Sequence, residues 1–565
     1  MNNRVMLLFP KWTEDYGLFA HFVTRSSSWP PLNLAYLASM AEKKGYETKI
    51  IDGQAENVDL EEMVKRTLDF DPGIIGLTST TPFHHISERV AARLKKKTDA
   101  LIVIGGPHTT VTTDDPASFT RSFDYGFRGQ ADRSWEQFLE RYDSGKPLKE
   151  IKGIIFRDET GSIVNTGQAE PVDLKEVPWP ARHLLRPEKY TMGTLQGLKQ
   201  FTSIKSVRGC PFKCTFCSTD VFGYKLKRDD PHQTVEEIKQ VLTTQGTTHY
   251  IFLDDTLTAN KKHISDLCDL IIQEKLKITF EGGTRANLVD DSLMAKLAEA
   301  GLIRISFGLE TVDDNIRKIM RKEVPLEAHE EANRLANKYG VEALNSCIIG
   351  MPGETKETLR KTLRYLRLTP EIKQVNISIA VPYPGTELAE QAKKGEYGLK
   401  LLTEDYKDYR RYNAAVMQVG DLMPADLVRL QNDAYLSIYA LSSRWRSMYK
   451  KQGFFGVLLT ASRFTRSLME KRWPDFIRDR DLYISREQKV KIKECNDLRE
   501  KVKLKIAPYG SLNGRELETV VETEVKKSEP NKETVALNVM RDNQHNHEPH
   551  PYSSGEEFHS YIHNA

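Results

Sequence analysis

The sequence predicts an α/β chain: an N-terminal doubly wound, Rossmann-like parallel sheet, then a (β/α)6 partial barrel, then a mostly helical C-terminal extension. Three observations predict it. Short apolar runs alternate with amphipathic stretches in two series, separated by a proline-marked connection. The runs of the first series end in Asp, Ser/Thr or Gly-Gly, which suits ligand-binding loops at the carboxyl edge of a parallel sheet. The length of 565 residues exceeds that of one ordinary domain.

The first series, within residues 1–145, reads VMLLF, LNLAYLASMAEKKG, ETKIID, LEEMVKRTLDF, IIGLTS, ISERVAARLKKK and ALIVIGG. Its strands are apolar throughout, as expected of strands covered on both faces. Residues 146–195 form a connection with a hairpin, GIIFRDETGSIVNT, turning at Thr160-Gly161, and a linker marked by Pro178, Pro180 and Pro187. The second series, within 196–400, passes through FTSIKSV, YIFLDD, KITFEGG, IRISFGLE, EALNSCIIG and QVNISIAVPYPG, with helical stretches such as TVEEIKQVLTTQ and DSLMAKLAEAG between. Such a barrel keeps its active site at the strand carboxyl ends. Residues 401–507 read as helical and aromatic-rich, and 508–565 as a polar, disordered tail.

A net charge of +3, from 82 basic and 79 acidic residues, gives no bias toward nucleic acid. Six cysteines, three of them within eight positions, are too few for a disulfide framework and indicate a reducing cytoplasm. The N-terminus reads as a first strand rather than a signal peptide, and no run of 18 apolar residues suggests a membrane span.

GCPFKCTFCS follows the first barrel strand, so Cys210, Cys214 and Cys217 lie on the first active-site loop, where thiolates can converge on a soft-metal cluster. Three ligands leave one iron open to a substrate-like molecule. The alternatives are a zinc site completed by a histidine such as His232, or cysteines that merely pack. At these residues the chain resembles the radical S-adenosylmethionine superfamily, whose C-x3-C-x2-C motif stands at this place. The resemblance implies a 4Fe-4S cluster that cleaves S-adenosylmethionine to a 5'-deoxyadenosyl radical, with Phe216 beside the adenine. The later barrel segments LDDTLT, GGTRAN, SFGLET, IIGMPGET and VPYPGTEL agree with it. By the same resemblance, Arg285 and Glu310 meet the carboxylate and amino ends of S-adenosylmethionine, with Ser306 and Gly350 nearby; the alternative for Arg285 is a surface ion pair.

A flavodoxin-like sheet before the barrel, with Pro384-Gly385-Thr386 after its last strand, resembles the cobalamin-binding branch over residues 4 to about 440. That branch holds the corrin on the sheet's carboxyl edge. This points to Asp52, to Thr78, Ser79 and Thr80, to Gly105, Gly106, Pro107 and His108, and to Gly129 in a loop reading Gly129-Gln130-Ala131-Asp132. Glycines let the backbone approach a flat ligand, and hydroxyls can bond its amide arms. Cobalamin mutases carry Asp-x-His-x-x-Gly, whereas this chain has Asp52-Gly53-Gln54, so binding without a histidine on cobalt is expected and His108 is assigned to the pocket wall.

The implied reaction modifies an unactivated carbon, with methyl transfer from cobalamin first and an oxidative or ring-forming cyclase-type reaction second. A non-catalytic cobalamin or iron-sulfur sensor is the alternative of another class. The scattered Cys268, Cys347 and Cys495 speak against a second cluster. The resemblance to the anaerobic magnesium-protoporphyrin ester cyclase and hopanoid-modifying enzymes implies a small lipid-like or tetrapyrrole substrate, and a flavodoxin or ferredoxin as reductant. Residues 453–472 carry Phe454, Leu458 and Phe464 opposite Arg463, Arg466 and Lys471. This basic amphipathic pattern fits either packing on the barrel or peripheral contact with the inner face of a membrane. The histidines from His545 to His563 sit in the polar tail, where metal binding is not expected.

Overall fold

Val5, Met6, Leu7 and Leu8 are all buried, so the first apolar run is a strand covered on both faces. The computed structural model describes residues 2–13, 28–170, 172–194, 197–218 and 223–439. In the first sheet β1 (Arg4–Phe9), β2 (Glu47–Asp52), β3 (Ile74–Thr78), β4 (Leu101–Gly105) and β5 (Tyr125–Phe127) run parallel in the order β2-β1-β3-β4-β5. The chain steps outward from β1 to β2 and then crosses back to β3. The loops at the carboxyl ends of β1 and β3 therefore diverge and leave a crevice, as in other doubly wound sheets. The expected hairpin, β6 (Ile154–Arg157) and β7 (Ile163–Asn165), extends this sheet by two antiparallel strands. Asp158 ties its turn by accepting from the amides of Thr160 and Ser162 at 2.9 and 3.0 Å.

The second sheet holds β9 (Gly197–Ile204), β12 (His249–Phe252), β13 (Thr279–Thr284), β14 (Leu302–Glu310), β15 (Glu342–Ile349) and β16 (Ile372–Ile379) in parallel. These are the six strands expected of the partial barrel, and the sheet stays open. One end is closed by β8 (Thr191–Thr194), antiparallel to β9, so the second sheet begins inside the stretch read as linker, and the short antiparallel pair β10 (Val207–Arg208) and β11 (Lys227–Arg228) stands outside the sheet. At the other end the helix Pro424–Tyr439 lies along β16. The Tyr439 hydroxyl accepts from the Val375 amide at 2.8 Å and donates to its carbonyl at 2.9 Å; Tyr435 does the same for Ile377 at 2.8 and 3.2 Å.

Residues 403–423 depart from the helical expectation. They hold a 3-10 turn at Tyr406–Asp408 and the strand β18 (Met417–Val419), paired with β17 (Leu399–Leu401); helix begins only at Pro424. Tyr406, Tyr409 and Tyr412 recur at a helix-like spacing, but each is held by a different partner. Tyr406 packs edge-on against His108 and Tyr412 bonds Asn376 at 2.7 Å, so tertiary contacts override the local pattern. The amphipathic stretch 453–472, Cys495 and the histidine-bearing tail lie outside the described residues. No helix among the described residues is long and apolar enough to cross a membrane.

Candidate active site

The cysteine loop is held from below by two carboxylates. Leu253-Asp254-Asp255 follows β12, and Asp254 accepts from the amides of Ser206 and Val207 at 2.8 and 3.0 Å and from the Ser206 hydroxyl at 2.7 Å. Asp255 takes the Gly209 amide at 2.9 Å, one residue before Cys210. Burial raises the Asp254 carboxyl to about 6, opposed by these bonds and by Lys205. The three thiols are free and partly exposed. Cys210 Sγ lies 3.4 Å from Thr256 Oγ1, and Cys214 Sγ lies 3.8 Å from both the Arg321 carbonyl and the Arg285 guanidinium. Burial pushes the Cys214 and Cys217 thiols up. A metal that takes these thiols as ligands must displace their protons. Among the described residues no three Cys, His, Asp or Glu side chains close around a single ion.

Arg285 is only 6% exposed, which excludes the surface ion pair. Its guanidinium lies 3.8 Å from the centre of the Phe212 ring and donates to the Lys322 carbonyl. Glu310 ends β14 with φ +61 and pairs with Lys322 at 3.1 Å. The pair lies across Gly308, where a Cβ would stand 2.4 Å from the Glu310 carboxylate and 2.6 Å from the ammonium, so a larger residue there would displace the pair. Ser306 is buried on the same strand, four residues back. Phe216 is half-buried and packs on a core that includes Leu309, Ile349 and Met351. Gly350 has another duty. Its left-handed backbone (φ +85) packs under Leu427, and its amide and that of Met351 donate to Glu354 at 2.5 and 3.0 Å. Burial raises Glu354 to about 8 despite those bonds.

At the first sheet's carboxyl edge lies a cleft of about 1560 Å³, counting its open mouth. Its walls include Leu7, Phe9, Trp29, Leu34, Leu77, Val103, Phe127 and Trp135, with Thr78, Thr80, Gly105, Gly106, Pro107 and Gly129 from the expected loops. Lys205 and Arg208, in the stretch after β9, and Leu253, just after β12, close it. Arg208 reaches across to Asp132 at 2.8 Å, a buried pair joining the two halves. Thr78 is oriented by Asn33, 3.0 Å from its hydroxyl. A Cβ at Gly76 would meet Leu7 at 2.7 Å, so glycine leaves room for the Leu7 side chain in the cleft wall.

Three expected residues stand outside this cleft. His108 is fully buried, its ring nitrogens 3.3 Å from Thr81 and 2.9 Å from Ser118, and burial lowers it to about 2. Ser79 bonds His84 at 3.0 Å, which burial lowers to about 4. Asp52 caps the following turn through the Ala55 amide at 2.9 Å and accepts from Tyr190 at 2.8 Å; burial raises it to about 7. His108 is therefore a neutral core side chain instead of a pocket wall, because its polar atoms are already engaged behind the loop. Gln54, at the motif's histidine position, is 1% exposed and accepts from Thr13 at 3.2 Å.

The family model of the Radical SAM superfamily matches residues 204–366, and that of the B12 binding domain matches 21–139. An uncharacterized methyltransferase of Pyrococcus horikoshii is 32% identical over 413 residues, covering 73% of this chain and 88% of the relative. The chain belongs to the cobalamin-binding radical S-adenosylmethionine family. The anaerobic magnesium-protoporphyrin IX monomethyl ester cyclase of Rubrivivax gelatinosus is 26% identical over 414 residues, 72% of each chain. Among solved structures, the cobalamin-dependent radical enzyme OxsB with aqua-cobalamin and S-adenosylmethionine bound superposes with a TM-score of 0.65 at 16% identity, over 99% of this chain and 82% of that one. TsrM from Kitasatospora setae, with tryptophan and a S-adenosylmethionine analogue, gives 0.62 at 18% identity, over 83% and 99%. Both likenesses concern the fold.

The cofactors of this radical SAM enzyme are a 4Fe-4S cluster, S-adenosylmethionine and cobalamin. The residues present fit them: three free thiols on one loop for the first, and a wide apolar cleft with a glycine-lined rim for the last. Sequence reasoning missed Lys205, Arg208 and Phe212, on or just before the cysteine loop, and Lys322, which reaches the site from a distant element. Glu354 was legible in principle, as the acid closing GMPGE after a strand.

Proposed function

We propose that this enzyme transfers a methyl group to an unactivated carbon of a small, largely apolar substrate lying between the two sheet edges. The observation that carries this reading is that Arg208 lines the cobalamin cleft and stands two residues before Cys210. One short backbone stretch is thus shared by both cofactor sites. In the proposal Cys210, Cys214 and Cys217 hold the cluster, while Arg285, Glu310, Ser306 and Phe216 receive S-adenosylmethionine and Gly350 shapes the loop beneath. Thr78, Thr80, Gly105, Gly106, Pro107 and Gly129 meet cobalamin. When bound, the cofactors supply a 5'-deoxyadenosyl radical and a methyl group. The chain's own residues orient them: Arg285 and the Glu310–Lys322 pair present charge to a zwitterion, and the tryptophan-lined cleft excludes water. Residues 1–145 and 196–400 act as the two cofactor units.

Relatives named as methyltransferases support methyl transfer, among them the cytidylyl-2-hydroxyethylphosphonate methyltransferase of Streptomyces wedmorensis and the hopanoid C-2 methylase of Rhodopseudomonas palustris, 26% and 21% identical. The cyclase relatives support the second reading. The test is anaerobic incubation of the reconstituted enzyme with reduced flavodoxin and S-adenosylmethionine bearing a deuterated methyl group. Labelled methylcobalamin is expected. Deoxyadenosine without labelled methylcobalamin would replace methyl transfer by the cyclase-type reaction.

A further inference from the structure

The segment after β16 touches both cofactor units. Gly385 has φ +79, and a Cβ there would lie 3.0 Å from Val111 Cγ1 and 3.1 Å from Val111 Cβ. Val111 ends the short helix Pro107–Val111, whose first residue and the preceding Gly106 line the cobalamin cleft. Three residues beyond Gly385, the Leu388 amide donates to the carbonyl of Thr215 at 2.9 Å, and Thr215 stands between Cys214 and Cys217. Glu387 pairs with Arg321 at 2.6 Å, and the Arg321 carbonyl is the one that Cys214 approaches.

The segment between these ends is stiff. Thr386 donates to the Tyr383 carbonyl at 2.6 Å and caps the helix Glu387–Lys394 through the Ala389 amide at 3.2 Å. Pro384 restricts its own φ. Tyr383 is tied to the Tyr409 carbonyl at 3.1 Å, and the Tyr406 ring next to it packs 5.1 Å from His108. Close-packed contacts of this kind transmit displacement instead of absorbing it.

We propose that Pro384–Leu388 is the spacer that sets the separation of cluster and cobalt, with Gly385 as its positioning residue. The contact of Gly385 with Val111 fixes one end, and the bond of Leu388 to the cysteine loop fixes the other. The proposal rests on the cofactor assignment and not on which reaction follows.

The test uses the full chain loaded with both cofactors and no substrate. Reduced cluster and cob(II)alamin are both paramagnetic, and their dipolar coupling, read by pulsed EPR, falls as the cube of their separation. Val111→Phe adds bulk at a half-buried site and is expected to lower the coupling, with cluster and cobalamin content unchanged in the visible spectrum. Gly385→Ala is expected to act in the same direction, and adding Val111→Gly to it should return the coupling toward wild type. Tyr397→Ala, at an exposed site, should leave it unchanged. If Gly385→Ala fails to accumulate, Val111→Phe decides alone. Wild-type coupling in Val111→Phe overturns the proposal, even if labelled methylcobalamin forms normally.

Discussion

The two carboxyl edges solve opposite binding problems. The first is largely apolar and glycine-rimmed, its charge confined to the closing wall at Lys205 and the Arg208–Asp132 pair, with other polar groups engaged behind the loops, as with Ser79 on His84 and His108 on Ser118. The second is dense with buried charge: Arg285, Glu310 with Lys322, and Asp254 beneath the thiols. A large neutral ligand needs area, shape and no competing charge, whereas a cluster and a zwitterion need fixed charges already desolvated. The difference teaches that two similar parallel sheets diverge in chemistry through their loops, while their strands stay alike.

The largest expected effect concerns the charged edge. Cys214→Ala should abolish the cluster and deoxyadenosine formation while cobalamin still binds the first sheet, as iron content and visible spectra would show. Residual deoxyadenosine at wild-type rates would break the comparison. Next comes the pH response. Glu354, raised from 4.5 to about 8, binds more protons folded than unfolded, so its contribution to stability is lost as pH rises through that window. Glu354→Gln should remove this loss, so the wild-type-minus-variant stability should fall by roughly 4 kcal/mol between pH 5 and 8.5 in denaturant titrations. A pH-independent difference would contradict the buried carboxyl.

The smallest effect concerns the apolar edge. His108, lowered from 6.5 to about 2, has the opposite sign: the fold binds fewer protons, and stability is lost as pH falls below 6.5. His108→Gln should cost about 1 to 2 kcal/mol at neutral pH through its two bonds, soften the acid loss, and leave the cob(II)alamin EPR signal unchanged. A cobalt-nitrogen coupling that disappears in the variant would put His108 back in the pocket.

Most of the architecture was legible because strands covered on both faces read as unbroken apolar runs, from Val5–Leu8 through Ile348-Ile349. The strand Thr191–Thr194 was not, since TMGT has no apolar run and exists by pairing with β9. The cysteines were legible because one loop carries all three. The cleft was legible only in part: Thr78 and Gly105 end strands, but Trp29, Trp135, Lys205 and Arg208 arrive from elements distant in sequence. His108 misled because Gly-Gly-Pro-His looks like a ligand loop, while the ring's direction depends on Thr81 and Ser118.

The tyrosines along β16 have a consequence for survival in a crowded cell. An open barrel ends in a strand whose outer amides and carbonyls would template another chain. Here two phenols, four residues apart on one helix, each occupy both the donor and the acceptor of a single edge residue. The helix thus acts as a removable substitute for a seventh parallel strand. Were the helix displaced, the uncovered amides and carbonyls of β16 would be open to pairing with another chain.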